Sequence, residues 1–362
     1  MRVLLDGFWW RRGPHANRQV LRELVLGWAR QFPADELVLA VQRHDQEAAR
    51  AELPARVELV PTRLRPQGAS AMVELPLLAR RVRADVTLTH NFTPWSGRSC
   101  VFVHDLMFET NPEWFTFAER RYFSWMTRTV PRADLVLTSS RSEADRIERV
   151  AKPRQKVVPI GLGVPTDLLD AQVEPVPGLD RLDGLVLVVG RLNVRKNLGN
   201  AIEGALSSGL VSEKLPVVVA GERSGRAAEL SPAVRAAVDR GLVRFVGFIP
   251  DAQLAWLYRH ASAFVFMSLD EGFGIPALEA MTFGTPVVAS DIPVFREILG
   301  THAEFADPRD TAAIGRALAA VLRAVRQQGR DDDRRAAAAA YSWRRSVTAL
   351  REAVSTLLPD GS

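Results

Sequence analysis

The segment Ser268-Leu-Asp-Glu271-Gly-Phe-Gly-Ile-Pro-Ala-Leu-Glu279 sets two carboxylates around a glycine-rich turn. The apolar run 264–267 precedes it, so the segment starts where a strand ends. Gly272 and Gly274 allow a sharp turn and close approach of the backbone to a ligand. Pro276 suits the first turn of a helix, where its missing N–H costs nothing. The N–H groups of Phe273, Gly274 and Ile275 would then face a ligand at the helix's positive end, a setting suited to phosphate. Glu279 falls in the first helical turns and reaches the same place. A carboxylate there accepts two hydrogen bonds from a ribose diol, a contact of about 1.5–3 kcal/mol. Glu271, on the loop before the helix, faces the sugar side.

These residues need a scaffold, and short Val- and Leu-rich runs supply it. The runs 3–5, 37–41, 86–89, 101–103 and 135–138 form one series; 185–189, 217–220, 264–267 and 287–289 form another. Each reads as a strand buried on both faces, with helical periodicity between. This alternation predicts α/β domains with parallel sheets. The Pro- and Gly-rich stretch from Gly161 to Gly178 is the natural boundary. The expected architecture is two Rossmann-like, doubly wound domains facing a cleft. They span 1–165 and 175–341, and a last helix over 342–358, capped by Ser342, completes the first. Ligands belong beyond the carboxyl ends of the strands. No G-x-G-x-x-G or P-loop motif follows a strand, so dehydrogenase and P-loop readings lose their support.

At 362 residues, two cores are expected. Cys100, the single cysteine, excludes an internal disulfide and fits a reducing compartment. No apolar stretch approaches the roughly 20 residues of a spanning helix, and the early charges at Arg2 and Asp6 do not suit a secretory signal. A cytoplasmic protein is expected. The charge is basic, 47 Lys+Arg against 42 Asp+Glu, and nearly all of it is arginine. From Glu119 to Lys156 ten basic residues face five acidic ones, beside the apolar set Phe117, Phe123, Trp125, Met126 and Val130. That stretch reads as a solvated helix face or as a surface for anionic lipid, peripheral at the inner membrane face. Nothing resembles a nucleic-acid-binding module.

With Gly284-Thr-Pro-Val-Val-Ala-Ser-Asp291 following, the Glu271/Glu279 segment resembles the E-x7-E signature of retaining GT-B glycosyltransferases, family four in particular. The segment Gly190-Arg191-Leu-Asn-Val-Arg195-Lys196-Asn197 resembles that family's strand-end Gly-Arg and following Lys-Asn. The resemblance implies that Arg191 and Lys196 carry the donor diphosphate. Two fixed cations there would lower the barrier as the leaving group gathers charge. Arg195 is expected to be solvated. Gly247-Phe-Ile249-Pro resembles the segment framing the nucleobase, with Ile249 as the residue chosen. His104-Asp105, directly after a strand, is similar to the pair whose histidine contacts the donor sugar; Asp105 could equally cap the next turn. His15, His44, His90, His260 and His302 have no comparable context.

The N-terminal loop departs from the pattern. It holds one glycine, Gly13, before Pro14, where many family members carry a double-glycine or Gly-x-Gly loop near the diphosphate. The neighbouring Phe8-Trp9-Trp10 cluster is core or an acceptor platform. The resemblance implies retention of anomeric configuration by front-face displacement, with no tightly bound cofactor and no essential metal. Asp331-Asp-Asp333 lies in an Arg- and Ala-rich helical region rather than at a strand end. The resemblance implies a nucleotide diphosphate sugar as donor. The His-Asp-Leu form at His104 favours a GDP-mannose-like donor, with UDP sugars next. The acceptor is a glycan, lipid or small molecule. A nucleotide-sugar epimerase on the same scaffold, and a non-catalytic nucleotide-sugar binding protein, are the alternatives.

Overall fold

The computed structural model describes residues 1–191, 193–221, 230–324 and 330–359. The chain divides into two compact units, Met1–Gly163 with Ser342–Ser362, and Val164–Tyr341. In the first, β1 (Arg2–Asp6), β2 (Glu36–Gln42), β3 (Glu58–Thr62), β4 (Val86–His90), β5 (Ser99–Phe102), β6 (Leu135–Thr138) and β7 (Val158–Pro159) form a sheet ordered β3-β2-β1-β4-β5-β6-β7. In the second, β8 (Leu185–Val189), β9 (Val217–Ala220), β10 (Val243–Gly247), β11 (Ala261–Phe266), β12 (Val287–Ser290) and β13 (Ala303–Ala306) are ordered β10-β9-β8-β11-β12-β13. Every strand pairing in both sheets is parallel. Two doubly wound α/β domains are therefore present.

In each sheet the order reverses once, beside β1/β4 and beside β8/β11. Connections leave those neighbouring strands toward opposite faces, which opens a crevice at their carboxyl ends. The central strands are largely buried because both faces are covered, and β8 is hydrophobic along its whole length. Val186 and Val188 of β8, with Val217, Val219 and Val265, are buried in one core; Leu4, Val38, Val101 and Val136 are buried in the other.

β3, β7, β10 and β13 are absent from the strand runs read in the sequence. All four are edge or near-terminal elements, where one flank meets solvent and apolar continuity is not required. Pro61 in β3 has no N–H to donate, which an edge strand tolerates.

The helix Trp343–Ser355 starts at Ser342, whose side chain accepts from the Arg345 N–H. It lies on the helix His15–Gln31. A Cβ on Gly27 would stand 2.8 Å from a Val347 methyl, so glycine sets that close approach. Arg351 Nε donates to Asp35 Oδ2 at 2.9 Å, and Asp35 also receives Trp28 Nε1 at 2.9 Å. This network ties the last helix to the first unit.

Gly190 and Gly221 follow β8 and β9, and their backbones nearly touch. A Cβ on Gly221, which has φ +144°, would lie 2.1 Å from the Gly190 carbonyl oxygen. Gly221→Ala should therefore destabilise the protein by at least about 2 kcal/mol, through backbone strain plus overpacking. Thermal denaturation checks this, and an unchanged midpoint would contradict the close approach.

Candidate functional site

In the second unit the chemistry gathers at the carboxyl ends of β8 and β11. Glu271, after β11, receives Lys196 Nζ on Oε1 at 2.7 Å and Arg195 Nη1 on Oε2 at 2.8 Å. The two loops are also tied by backbone, Leu269 N–H to the Arg195 carbonyl at 2.8 Å. Arg195 Nη1 reaches the Asp270 carbonyl at 3.2 Å as well. The Lys196 N–H donates to Asn193 Oδ1 at 2.9 Å, and its ammonium sits 4.7 Å from the Phe266 ring centre. The stem of Lys196 runs over Gly190, where an added Cβ would already touch it at 3.5 Å.

Burial alone would raise the Glu271 pKa. The Arg195 and Lys196 charges overcome it and hold the carboxyl at about 2. Burial pulls the Lys196 ammonium below the usual lysine range, and Glu271 opposes that shift. Arg195, expected to be solvated, is instead half-buried and bonded to the buried Glu271. Its partner lies 76 positions on, so no local pattern could signal it. Arg191 follows Gly190 and is exposed.

Gly274 caps the helix Ile275–Thr282 at φ +95°, and Pro276 occupies its first turn. Gly272, Phe273, Gly274 and Ile275 are all buried. A Cβ on Gly274 would meet the Phe295 ring at 2.5 Å, so only glycine fits this turn. Glu279 lies on the same helix and is 6% exposed. Its Oε2 accepts the Tyr258 hydroxyl at 2.7 Å. Burial raises the Glu279 pKa to about 7; the Tyr258 hydrogen bond lowers it, Asp251 raises it and Lys196 lowers it. Ile249 follows β10 and is half-buried, beside the 68% exposed Phe248.

The first unit carries its own cluster at β1, β4 and β5. The pairing of β4 with β5 sets His90 opposite Phe102, and His104 lies two residues further on. His104 Nε2 and His90 Nδ1 are 3.1 Å apart, with rings stacked at 5.2 Å. Burial lowers both pKa values, His90 to about 4. His90, passed over in the sequence because it stood alone there, is thus the direct partner of His104. Three backbone anchors fix the loop: His104 N–H to Asn91 Oδ1 at 3.0 Å, Leu106 N–H to Glu143 Oε1 at 3.0 Å, and Met107 N–H to Asp105 Oδ1 at 3.2 Å. Asp105 therefore caps its own turn.

Trp9 stands 5.6 Å from His104 by ring centres, while Trp10 is in the core, its indole N–H on Glu52 at 2.8 Å. Gly13, at φ +113° on an exposed loop, packs on Trp9, where a Cβ would lie 2.6 Å from the indole. Asp6, at the end of β1, is pushed up to about 6 by burial, while the Phe8 N–H and Gln67 amide oppose the rise.

The arrangement in the second unit combines two cations after β8, a buried glycine turn after β11 and the buried Glu279 on the helix that this turn opens, a set that could receive an anion. Among the described residues no group of three or more His, Cys, Asp or Glu is placed to hold a metal. Asp331 and Asp332 pair with Arg334 and Arg335 along the helix Arg330–Ala338. No helix among the described residues is long and apolar enough to cross a membrane.

Residues 18–168 match the family model described as Glycosyltransferase Family 4, and residues 174–342 the model described as Glycosyl transferases group 1. The chain is 30% identical to O-antigen chain mannosyltransferase B of Escherichia coli, over 60% of this chain and 59% of that protein. It is 29% identical to O-antigen chain mannosyltransferase RfbU of Salmonella typhimurium, over 62% and 61%. The chain thus spans about three fifths of the length of these relatives. Its fold is similar to sucrose-phosphate synthase from Thermosynechococcus elongatus, with a TM-score of 0.75 at 18% identity and 98% coverage of both chains. It is also similar to HepE from Anabaena in complex with UDP and glucose, with a TM-score of 0.68 at 16% identity, over 98% of this chain and 100% of that one.

Glu271→Gln would leave the Arg195 and Lys196 charges buried without their counter-ion. The loss should be about 3–5 kcal/mol of stability, read by urea denaturation. A change within about 0.5 kcal/mol would show that the clamp carries no weight.

Proposed function

We propose that this chain, which belongs to the GT-B glycosyltransferases, moves a hexose from a nucleotide diphosphate sugar to an acceptor with retention of configuration. One observation carries the reading: the cation–carboxylate clamp Arg195–Glu271–Lys196 stands at the β8/β11 reversal, one helix turn region away from the buried Glu279. Arg195 and Lys196 are bonded to Glu271, and the exposed Arg191 follows Gly190 on the same loop, so the segment after β8 is rich in cations suited to a sugar diphosphate. As the diphosphate departs, fixed cations stabilise it without reorganising.

Arg191 and Lys196 are assigned to the diphosphate, and Glu279 to the ribose hydroxyls. Gly272, Phe273, Gly274 and Ile275 form the turn under the phosphates, and Ile249 frames the base. The family resemblance assigns His104 and Glu271 to the donor sugar and Gly13 to the diphosphate. No nucleophilic carboxylate is needed. In front-face displacement the acceptor attacks from the side the diphosphate leaves, and the leaving phosphate takes the acceptor's proton. The likeness to O-antigen mannosyltransferases supports a GDP-mannose-like donor and a glycan acceptor; HepE, in complex with UDP and glucose, supports UDP sugars as the next choice. With Arg191 and Lys196 on the leaving group, the reaction requires no metal.

Transfer should persist in excess chelator. Lys196→Ala should lower turnover about a hundredfold, on the scale of ~2.7–4 kcal/mol for one lost donor to a developing anion. His104→Ala should abolish transfer yet spare nucleoside diphosphate affinity. Proton coupling in the product should report the donor's anomeric configuration. Inversion, or complete inhibition by chelator, would falsify the mechanism.

We also place the protein in a reducing, cytoplasmic setting, in peripheral contact with an anionic membrane. The helix Phe117–Thr129 exposes Phe117 and Trp125 at 80% and 44%, with Arg120, Arg121 and Arg128 exposed on the same helix. Met126 and Val130, read in the sequence as part of the apolar face, are buried in the core, and Phe123 packs against it. The surface set is therefore narrower than the sequence suggested. Sedimentation with vesicles at low salt should rise with acidic lipid content and fall with added salt. Equal binding to neutral vesicles would remove this contact.

A further inference from the structure

We infer that Tyr258 is a positioning residue for nucleotide recognition: its hydroxyl occupies one oxygen of Glu279 and turns the other toward the ligand. The inference rests on the assignment of Glu279 to the ribose. Tyr258 is wholly buried on the helix Asp251–His260 and cannot touch substrate itself. Its ring is held on two sides. It stacks on Phe283 at 5.6 Å with planes 5° apart, and meets the Phe264 edge at 5.7 Å. The Thr285 hydroxyl clasps the Tyr258 carbonyl at 2.6 Å. The phenol thus has one place to point, and its hydroxyl lies 2.7 Å from Glu279 Oε2 and 3.3 Å from the Pro276 carbonyl. Glu279 Oε1 accepts no hydrogen bond from the described residues.

The consequence is a proton-coupled binding step. A ribose diol donates two hydrogen bonds and needs an ionised acceptor, whereas burial favours the neutral acid. Several charged groups bear on Glu279. Asp251, on the helix of Tyr258, opposes ionisation, while Lys196 favours it but is bonded to Glu271. Arg334 and Arg335, from the helix packed alongside, are bonded to the carbonyls of Gly284 and Phe283 at the far end. Arg296, on the next helix, is bonded to Asp291. The Tyr258 hydroxyl is the donor in direct contact with the carboxylate. With its pKa at about 7, Glu279 is divided between its two forms at neutral pH, and nucleotide binding draws it to the carboxylate. Affinity should rise with pH up to the midpoint and then level.

The experiment is calorimetry of UDP-glucose and GDP-mannose between about pH 5.5 and 8.5. Their diphosphates are esterified at both ends and hold no proton across that range. Wild type should show a midpoint near neutrality. Tyr258→Phe, which loses the donor to the charged form, should move the midpoint up by about one unit and weaken binding about fivefold at neutral pH. Glu279→Gln should bind weakly and without pH dependence. A Tyr258→Phe profile that overlays wild type would overturn the role of Tyr258. A Glu279→Gln protein that binds as tightly as wild type would instead overturn the assignment of Glu279. Should Tyr258→Phe not fold, wild type in two buffers of different ionisation enthalpy gives the answer. About half a proton released per ligand at neutral pH supports the coupling; none released overturns it.

Discussion

A carboxylate taken out of water stays ionised only if cations or hydrogen-bond donors come with it. Glu271 meets that condition through Arg195 and Lys196, and much of the second unit follows from it. Both cations come from the loop after β8, while the carboxylate comes from the loop after β11. The pairing therefore joins the two connections that diverge where the strand order reverses. Gly190 gives the Lys196 stem room to lie back toward β11, and Gly221 lets β9 end against Gly190. The crevice is held open by topology and stitched by charge.

The first unit has a reversal of the same kind but gathers no cations there among the described residues. At its own reversal, β1, β4 and β5 deliver Asp6, His90 and His104 into a buried aromatic setting. Burial drives the two imidazoles toward the neutral form, so the His90–His104 contact is a hydrogen bond between uncharged rings. The two reversals are thus chemically distinct: two cations clamp a carboxylate in the second unit, and two neutral imidazoles lie near Asp6 in the first.

Much of this was legible in sequence because it is local. The glycine turn, Pro276 and the two glutamates share one short segment, and buried central strands announce themselves as continuous Val and Leu. The edges β3, β10 and β13 were silent, since their residues answer to one neighbour and to solvent. Arg195, Tyr258 and His90 were silent for a different reason. Each owes its place to a partner brought up by parallel crossover: Glu271 from 76 positions away, Glu279 from the next strand-helix unit, and His104 across the β4/β5 pairing. Spacing reports what one element presents; it does not report which side chain from another element lies behind it.

The two glutamates of the signature show how far that difference reaches. They sit eight residues apart, both buried, in one turn and the helix it opens. Yet the first is held near pKa 2 and the second near 7. Burial pushes both upward, so the separation is due to neighbours: two cations in direct contact for Glu271, a single phenol for Glu279. Environments that drive paired acids apart assign them different work. Glu271, ionised at any physiological pH, is a permanent counter-charge that keeps Arg195 and Lys196 ordered before a ligand arrives. Glu279, near 7, is divided between its two forms at neutral pH, with the Tyr258 hydroxyl already donating to one oxygen. A rigid cationic floor beside a responsive acceptor suits a ligand with an anionic diphosphate and a neutral diol a few atoms apart.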